Sequence, residues 1–172
     1  MKTLHPLIVT AQIAQDDLKP FDRLRQAHFP QARNFLRAHL TVFYRLPGEY
    51  AGQIMKQLTD AAVATSIIKA EVNGVRHIGA GVAFTVISPE LQTVRAGLKS
   101  AFAPYLVSQD MQKWQPHITV QNKVSRPAAD RLYTDLAGTF SPHEIDIIGL
   151  DLWRYLDGPW EHEFAAPFRS GA

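Results

Sequence analysis

Apolar positions switch along the chain between a spacing of two and a spacing of three to four, and each switch marks an element. The stretch "LIVTAQI" at 7–13 is rich in β-branched residues and predicts a strand. Asp16 and Asp17 then cap a helical stretch to about His28, with Phe21, Leu24 and His28 on one face. A strand over about 37–46 stops at Pro47-Gly48. A helix over about 49–63 carries Ile54, Leu58 and Ala61, and Ile67 to Val72 reads as a strand closed by Asn73-Gly74. The second half opens with a strand over about 77–87. Ser88 before Pro89 is an N-cap followed by proline at the first helical position, and Leu91, Val94, Leu98, Ala101, Phe102 and Tyr105 then form the clearest helical stripe. A strand over about 115–123 follows, then a helix opened by Ser125 and Pro127 and closed by Gly138. A strand at 145–155 turns at Asp157-Gly158 into a last strand near 160–165.

Each half therefore reads strand, helix, strand, helix, strand. The middle strands share a tetrad, "HLTV" at His39 to Val42 and "HITV" at His117 to Val120, and in each half a helix begins about ten residues later. Composition alone gives about 0.4 His-x-Thr matches in this chain, so two prove little by themselves. Two that both end in valine, both fall in strands and occupy equivalent places in a repeat point to a shared cause. The halves are otherwise dissimilar, so the repeat is one of architecture. It predicts an α/β domain of two lobes related by a pseudo-twofold, with the two histidines meeting at a central cleft.

Composition narrows the chemistry. The 172 residues, 46% hydrophobic and 20% charged, suit one soluble domain. A net charge of +2 tolerates an anionic substrate and falls far short of a non-specific nucleic-acid coater. The absence of cysteine excludes disulfides, thiolate metal sites and cysteine nucleophiles. The N-terminal apolar run is short and broken by Pro6, Thr10 and Gln12, so it reads as strand and not as a secretion signal. A cytoplasmic protein, acting as a monomer without a membrane partner, is the expectation.

Residues i and i+2 of a strand share a face. His39 and Thr41 therefore point away from Leu40 and Val42, and His117 and Thr119 away from Ile118 and Val120. Extending the parity adds Arg37, Phe43 and Arg45 to the first set, and Gln115, Gln121 and Lys123 to the second. Two imidazoles, two hydroxyls, cations and a ring would then line one cleft. One neutral imidazole can take a proton from an attacking water while the other, as imidazolium, protonates the departing oxygen of a phosphodiester. Threonine hydroxyls and a Lys or Arg can hold the phosphoryl oxygens.

On "HLTV", "HITV" and the proline before the second histidine, the chain resembles the two-histidine (2H) phosphoesterase superfamily, the LigT-like or 2′-5′ RNA ligase-like proteins. The resemblance runs from the first strand to the last hairpin. It implies an α+β fold: a single bilobal domain over 1–172 (lobes of about 1–74 and 75–172, terminal strands free to cross over). Two mainly antiparallel sheets would line a central cleft with helices outside. It implies a cyclic phosphodiesterase acting on RNA 2′,3′-cyclic phosphate ends or nucleoside cyclic phosphates, with no metal and no cofactor. His39 and His117 would be the acid/base pair, His117 activating water and His39 protonating the leaving oxygen, with Thr41 and Thr119 on the phosphate. Phe43, Arg37, Arg45, Lys123 and Gln121 are the candidate substrate contacts.

Plainer readings compete. A catalytically silent RNA- or nucleotide-binding module could use the same cleft, and a small cyclic-phosphate metabolite is an alternative substrate. Arg37, Arg45 and Lys123 are individually ordinary surface charges, and Phe43 could pack between lobes. Trp153 and Tyr155 read as core, with an aromatic wall including Trp160 as the alternative. Gly79 and Gly81, after His77, fit a tight backbone contact as well as a ligand.

Overall fold

Among the described residues, seven strands join in one antiparallel sheet whose order carries the internal repeat. The computed structural model describes residues 5–170, so the two ends of the 1–172 reading lie outside the described residues. The strands are β1 (Leu7–Ile13), β2 (Leu40–Leu46), β3 (Ile68–His77), β4 (Val82–Ile87), β5 (His117–Gln121), β6 (His143–Tyr155) and β7 (Trp160–Pro167). The helices are α1 (Gln15–His28), α2 (Ala51–Val63), α3 (Pro89–Ala101), α4 (Ser108–Met111) and α5 (Arg126–Thr139). Along the sheet the order is β2-β1-β6-β3-β4-β5, with β7 added to β6. Exchanging β1 with β4, β2 with β5 and β3 with β6 returns the same order reversed. The pseudo-twofold thus passes between β3 and β6.

The third strand of each half lies with the other half's strands. β6 pairs along β1 on one edge, and on the other edge first with β3 and then with β7. The sheet curls, bringing its end strands β2 and β5 against each other. Those two strands carry the tetrads. Leu40, Val42, Ile118 and Val120 are fully buried with Ile54, Leu58, Leu91, Leu98 and Phe102. The apolar alternate positions of each tetrad therefore anchor its strand in the core.

Several local features differ from the sequence reading. Ala14 caps α1 without a side-chain bond. Asp17 instead accepts the Asp146 amide at 2.9 Å and ties the helix to β6, while Asp16 pairs with Lys19. The buried positions of α1 are Phe21, Asp22 and Arg25, with His28 exposed. Asn73-Gly74 does not end β3: the ladder shifts register between Val72 and Gly74, and the strand continues to His77. One extra residue is absorbed there as a bulge, and the Thr85 hydroxyl donates to Asn73 Oδ1 at 2.7 Å. The turn falls at 78–81, with Gly79 at φ +90°. The Ser88 and Ser125 caps form as expected, each accepting an amide three residues on.

Gly81 is required by contact. A Cβ there would overlap the Gln121 carbonyl at the end of β5, whereas one on Gly52 in α2 meets nothing. Gly81→Ala is expected to destabilise by about 3 kcal/mol or more, at the top of the overpacking range. Gly52→Ala should stabilise by about 0.5–1 kcal/mol. Urea unfolding midpoints check both.

Candidate active site

Each tetrad histidine sits at the head of its strand and is held in the same way. Nδ1 of His39 donates to the Arg37 carbonyl at 2.8 Å, and Nδ1 of His117 to the Gln115 carbonyl at 2.8 Å. A carbonyl only accepts, so Nδ1 carries the hydrogen in both rings. That fixes the tautomer and leaves Nε2 with its lone pair, unbonded among the described residues. The two halves thus present two imidazoles in matched states. They are near enough for the His117 charge to bear on His39.

Three cavities surround them. One of about 370 Å³ is lined by His39, Arg37, Phe35, Asp151, Trp153 and Trp160, among others. A second, about 460 Å³, also reaches His39 and adds Thr119, Lys123, Arg25, Arg33 and Tyr155. A third, about 190 Å³, holds His117 with Arg76, Lys113 and Gln115. Of the residues expected to share a cleft, His39, Thr119 and Lys123 share one cavity and His39 and Arg37 another, while His117 sits with Gln115 in the third. Lys123 stands just past β5 at φ +62°. Arg37 leans on Asp22 and Gln15. Thr41 is only 8% exposed and lines none of the three.

Three expected contacts need correction. Phe43 has no exposed surface: it packs edge-on to Phe102 at 5.4 Å beneath the Arg95 guanidinium at 4.6 Å. The β1–β2 ladder takes up an extra residue between Thr41, opposite Thr10, and Phe43, opposite Val9, so the strand parity breaks there and Phe43 turns off the Thr41 face into the core. Gln121 is buried where the Gly81 turn packs on its backbone, and among the described residues its Oε1 has no partner. Arg45 lines none of the cavities, since β2 has by then turned to Asp110, which accepts its amide at 3.0 Å.

The sequence reading missed Arg25. It reaches from α1 to the Thr119 carbonyl of β5 at 3.3 Å, lies 3.9 Å over the Phe29 ring and bonds the Leu36 carbonyl and Asn34. Burial pushes its pKa down and nearby Asp22 opposes that, yet a guanidinium remains charged. Its counterpart is Arg95, which crosses from α3 to the Val42 carbonyl of β2 at 3.1 Å. Each half sends a buried arginine to the other half's tetrad strand. The signal in the sequence is a charge on an apolar helix face, Arg25 four residues after Phe21 and Arg95 four after Leu91. Trp153 and Tyr155, read mainly as core, are instead half-buried at the cavity walls, where Trp160 joins Trp153.

Burial pushes His39 down to about 4, with Arg25 and His117 adding to the effect and the bond to Arg37 opposing it. Its ordinary value is about 6.5, so between those limits the folded protein binds fewer protons here than the unfolded chain. The resulting stability is complete above about pH 6.5 and is lost as pH falls through that window. Allowing for solvent at the cavities, wild type should lose about 1–2 kcal/mol more than His39→Asn between pH 7 and pH 5, read by urea unfolding.

Among the described residues no three His, Asp or Glu side chains gather as a metal site, and no helix is long and apolar enough to cross a membrane. No curated protein matches the chain in sequence. Solved structures match the α+β fold over nearly its whole length. TT0787 of Thermus thermophilus aligns over 97% of this chain and 100% of its own, at 14% identity and TM-score 0.68. LigT of Escherichia coli, solved with 3′-AMP, aligns over 95% and 98%, at 14% identity and TM-score 0.65. A structure described as a phosphoesterase aligns over 96% and 99%, at 15% identity and TM-score 0.63. The sequence model of the 2′-5′ RNA ligase superfamily matches residues 12–159, and with both tetrads and this fold the chain belongs to that family.

Proposed function

We propose that the protein is a phosphoesterase that opens 2′,3′-cyclic phosphates of RNA ends or nucleotides, using His39 and His117 as paired acid and base. The observation that carries this reading is the matched pinning of both rings through Nδ1, which leaves two Nε2 atoms free for proton transfer. Water attacks phosphorus and gives its proton to one Nε2. The bond to the 2′ or 3′ oxygen breaks, and the other ring, as imidazolium, protonates that oxygen. Phosphate monoester and free hydroxyl result, and solvent restores both rings. Thr119 donates to a non-bridging oxygen, with Arg25 and Lys123 offsetting the charge that develops there. LigT of Escherichia coli has been solved with 3′-AMP and with phosphate, which supports a nucleotide phosphate as the ligand class.

Burial keeps His39 neutral at pH 7 in the free protein. That is the form a base needs, so we assign His39 to the attacking water and His117 to the leaving oxygen, the reverse of the polarity that the family resemblance suggests. Purified protein in EDTA, incubated with the four nucleoside 2′,3′-cyclic monophosphates and with RNA ending in a cyclic phosphate, is expected to release monoester. No turnover on any of them would remove the hydrolytic reading.

A further inference from the structure

We infer that the 370 Å³ cavity beside His39 is a nucleobase subsite, built by the β6–β7 hairpin and the loop before β2. This rests on the cyclic-phosphate reading of the same site. Its volume lies within the range for small-ligand sites, roughly 300–1,000 Å³. Trp160 stands 4.8 Å from the His39 ring, centroid to centroid, and Trp153 lies 6.1 Å behind Trp160. The Trp153 indole N–H is tied to the Thr10 hydroxyl at 2.8 Å, which fixes that ring against the sheet.

Phe35 stands in the loop before β2. It is 59% exposed, and it lines both this cavity and the cationic one beyond His39.

The division of chemistry points to the occupant. On one side of His39 are Arg25, Arg33 and Lys123 with Thr119, a setting for phosphate. On the other are two indoles and an exposed phenyl ring, with Gln12, Gln15 and Asp151 at the polar wall. A group at the His39 ring that is anionic on one side and flat and aromatic on the other is a nucleotide. Base–aromatic stacking tolerates any base, since every base presents a π-face. The structure therefore assigns this cavity to the base of the nucleoside whose phosphate is opened.

The test compares adenosine 2′,3′-cyclic monophosphate with the abasic methyl riboside 2,3-cyclic phosphate, in wild type, Trp160→Ala and Phe35→Ala. The wild type should prefer the base-bearing substrate in kcat/KM by about ten-fold or more, and each variant should erase most of that ratio. Adenosine 3′-monophosphate should also quench wild-type tryptophan fluorescence at concentrations where inorganic phosphate does not. If Trp160 merely positions His39, its loss slows both substrates equally and the ratio stands, which overturns the inference. Equal turnover of both substrates by wild type, without quenching, also overturns it while leaving the hydrolytic reading intact. Quenching by the nucleotide with no turnover of either substrate supports the subsite and rejects hydrolysis.

Discussion

Replacing either His39 or His117 by alanine should slow cyclic-phosphate opening by roughly 10²–10⁴-fold, the range for loss of one positioned acid or base. Neither change should unfold the protein. Each ring is only half-buried, and each bonds a carbonyl two residues away in its own chain. His39→Asn sharpens the result, because its amide can still donate toward the Arg37 carbonyl but does not titrate. Activity as low as that of the alanine variant would place the function in the titrating nitrogen and not in the hydrogen bond. A p-nitrophenyl phosphodiester then separates the roles, since its leaving group departs without a proton. The His117 variant should regain at least ten-fold relative to the His39 variant on that substrate. Rescue of the His39 variant instead would restore the opposite polarity. Full activity in both single variants on every substrate would remove the histidines from the chemistry.

The repeat, its tetrads and most helix limits could be read in the sequence because they follow from periodicity and caps, which are local. Sheet order was less accessible: β3 and β6 exchange between halves, and nothing in the residues of 68–77 states which neighbour they take. Strand parity holds only where the ladder is regular. Register shifts between Thr41 and Phe43 and between Thr119 and Gln121 carry Phe43 and Gln121 off the tetrad faces, and Phe43 lies under Arg95 and Phe102. The buried charges are the other gap. A lone Arg25 or Asp110 in a sequence reads as surface, because only the folded sheet reveals that β2 and β5 are end strands with carbonyls and amides to satisfy. Those residues look out of place locally and are explained by a strand edge far away in the chain.

Asp110→Ala should be the most destabilising of these substitutions. Asp110 has no exposed surface, and its two oxygens accept the amides of Tyr44 at 2.8 Å and Arg45 at 3.0 Å. On the same strand Arg95 and the Trp114 indole take the carbonyls of Val42 and Thr41, at 3.1 and 3.0 Å. Side chains thus close the open edge of β2, in place of an eighth strand. Burial raises the Asp110 pKa, against the two amide bonds and Arg95, so this carboxylate sits in a costly place. Removing it leaves two buried amides without acceptors, at about 1–3 kcal/mol each, and a buried guanidinium without its nearby opposite charge. A loss of about 3–5 kcal/mol follows, or roughly 10 °C in Tm for a chain of this length. Asp110→Asn keeps one acceptor oxygen and should lose about half as much. Because β2 starts next to His39, Asp110→Ala should also lower kcat at temperatures where the variant is still folded, although Asp110 touches neither histidine cavity that His39 lines. Thermal melts of the Ala and Asn variants check the order. Equal Tm values in both variants and wild type would mean that water closes this edge as well as the carboxylate does.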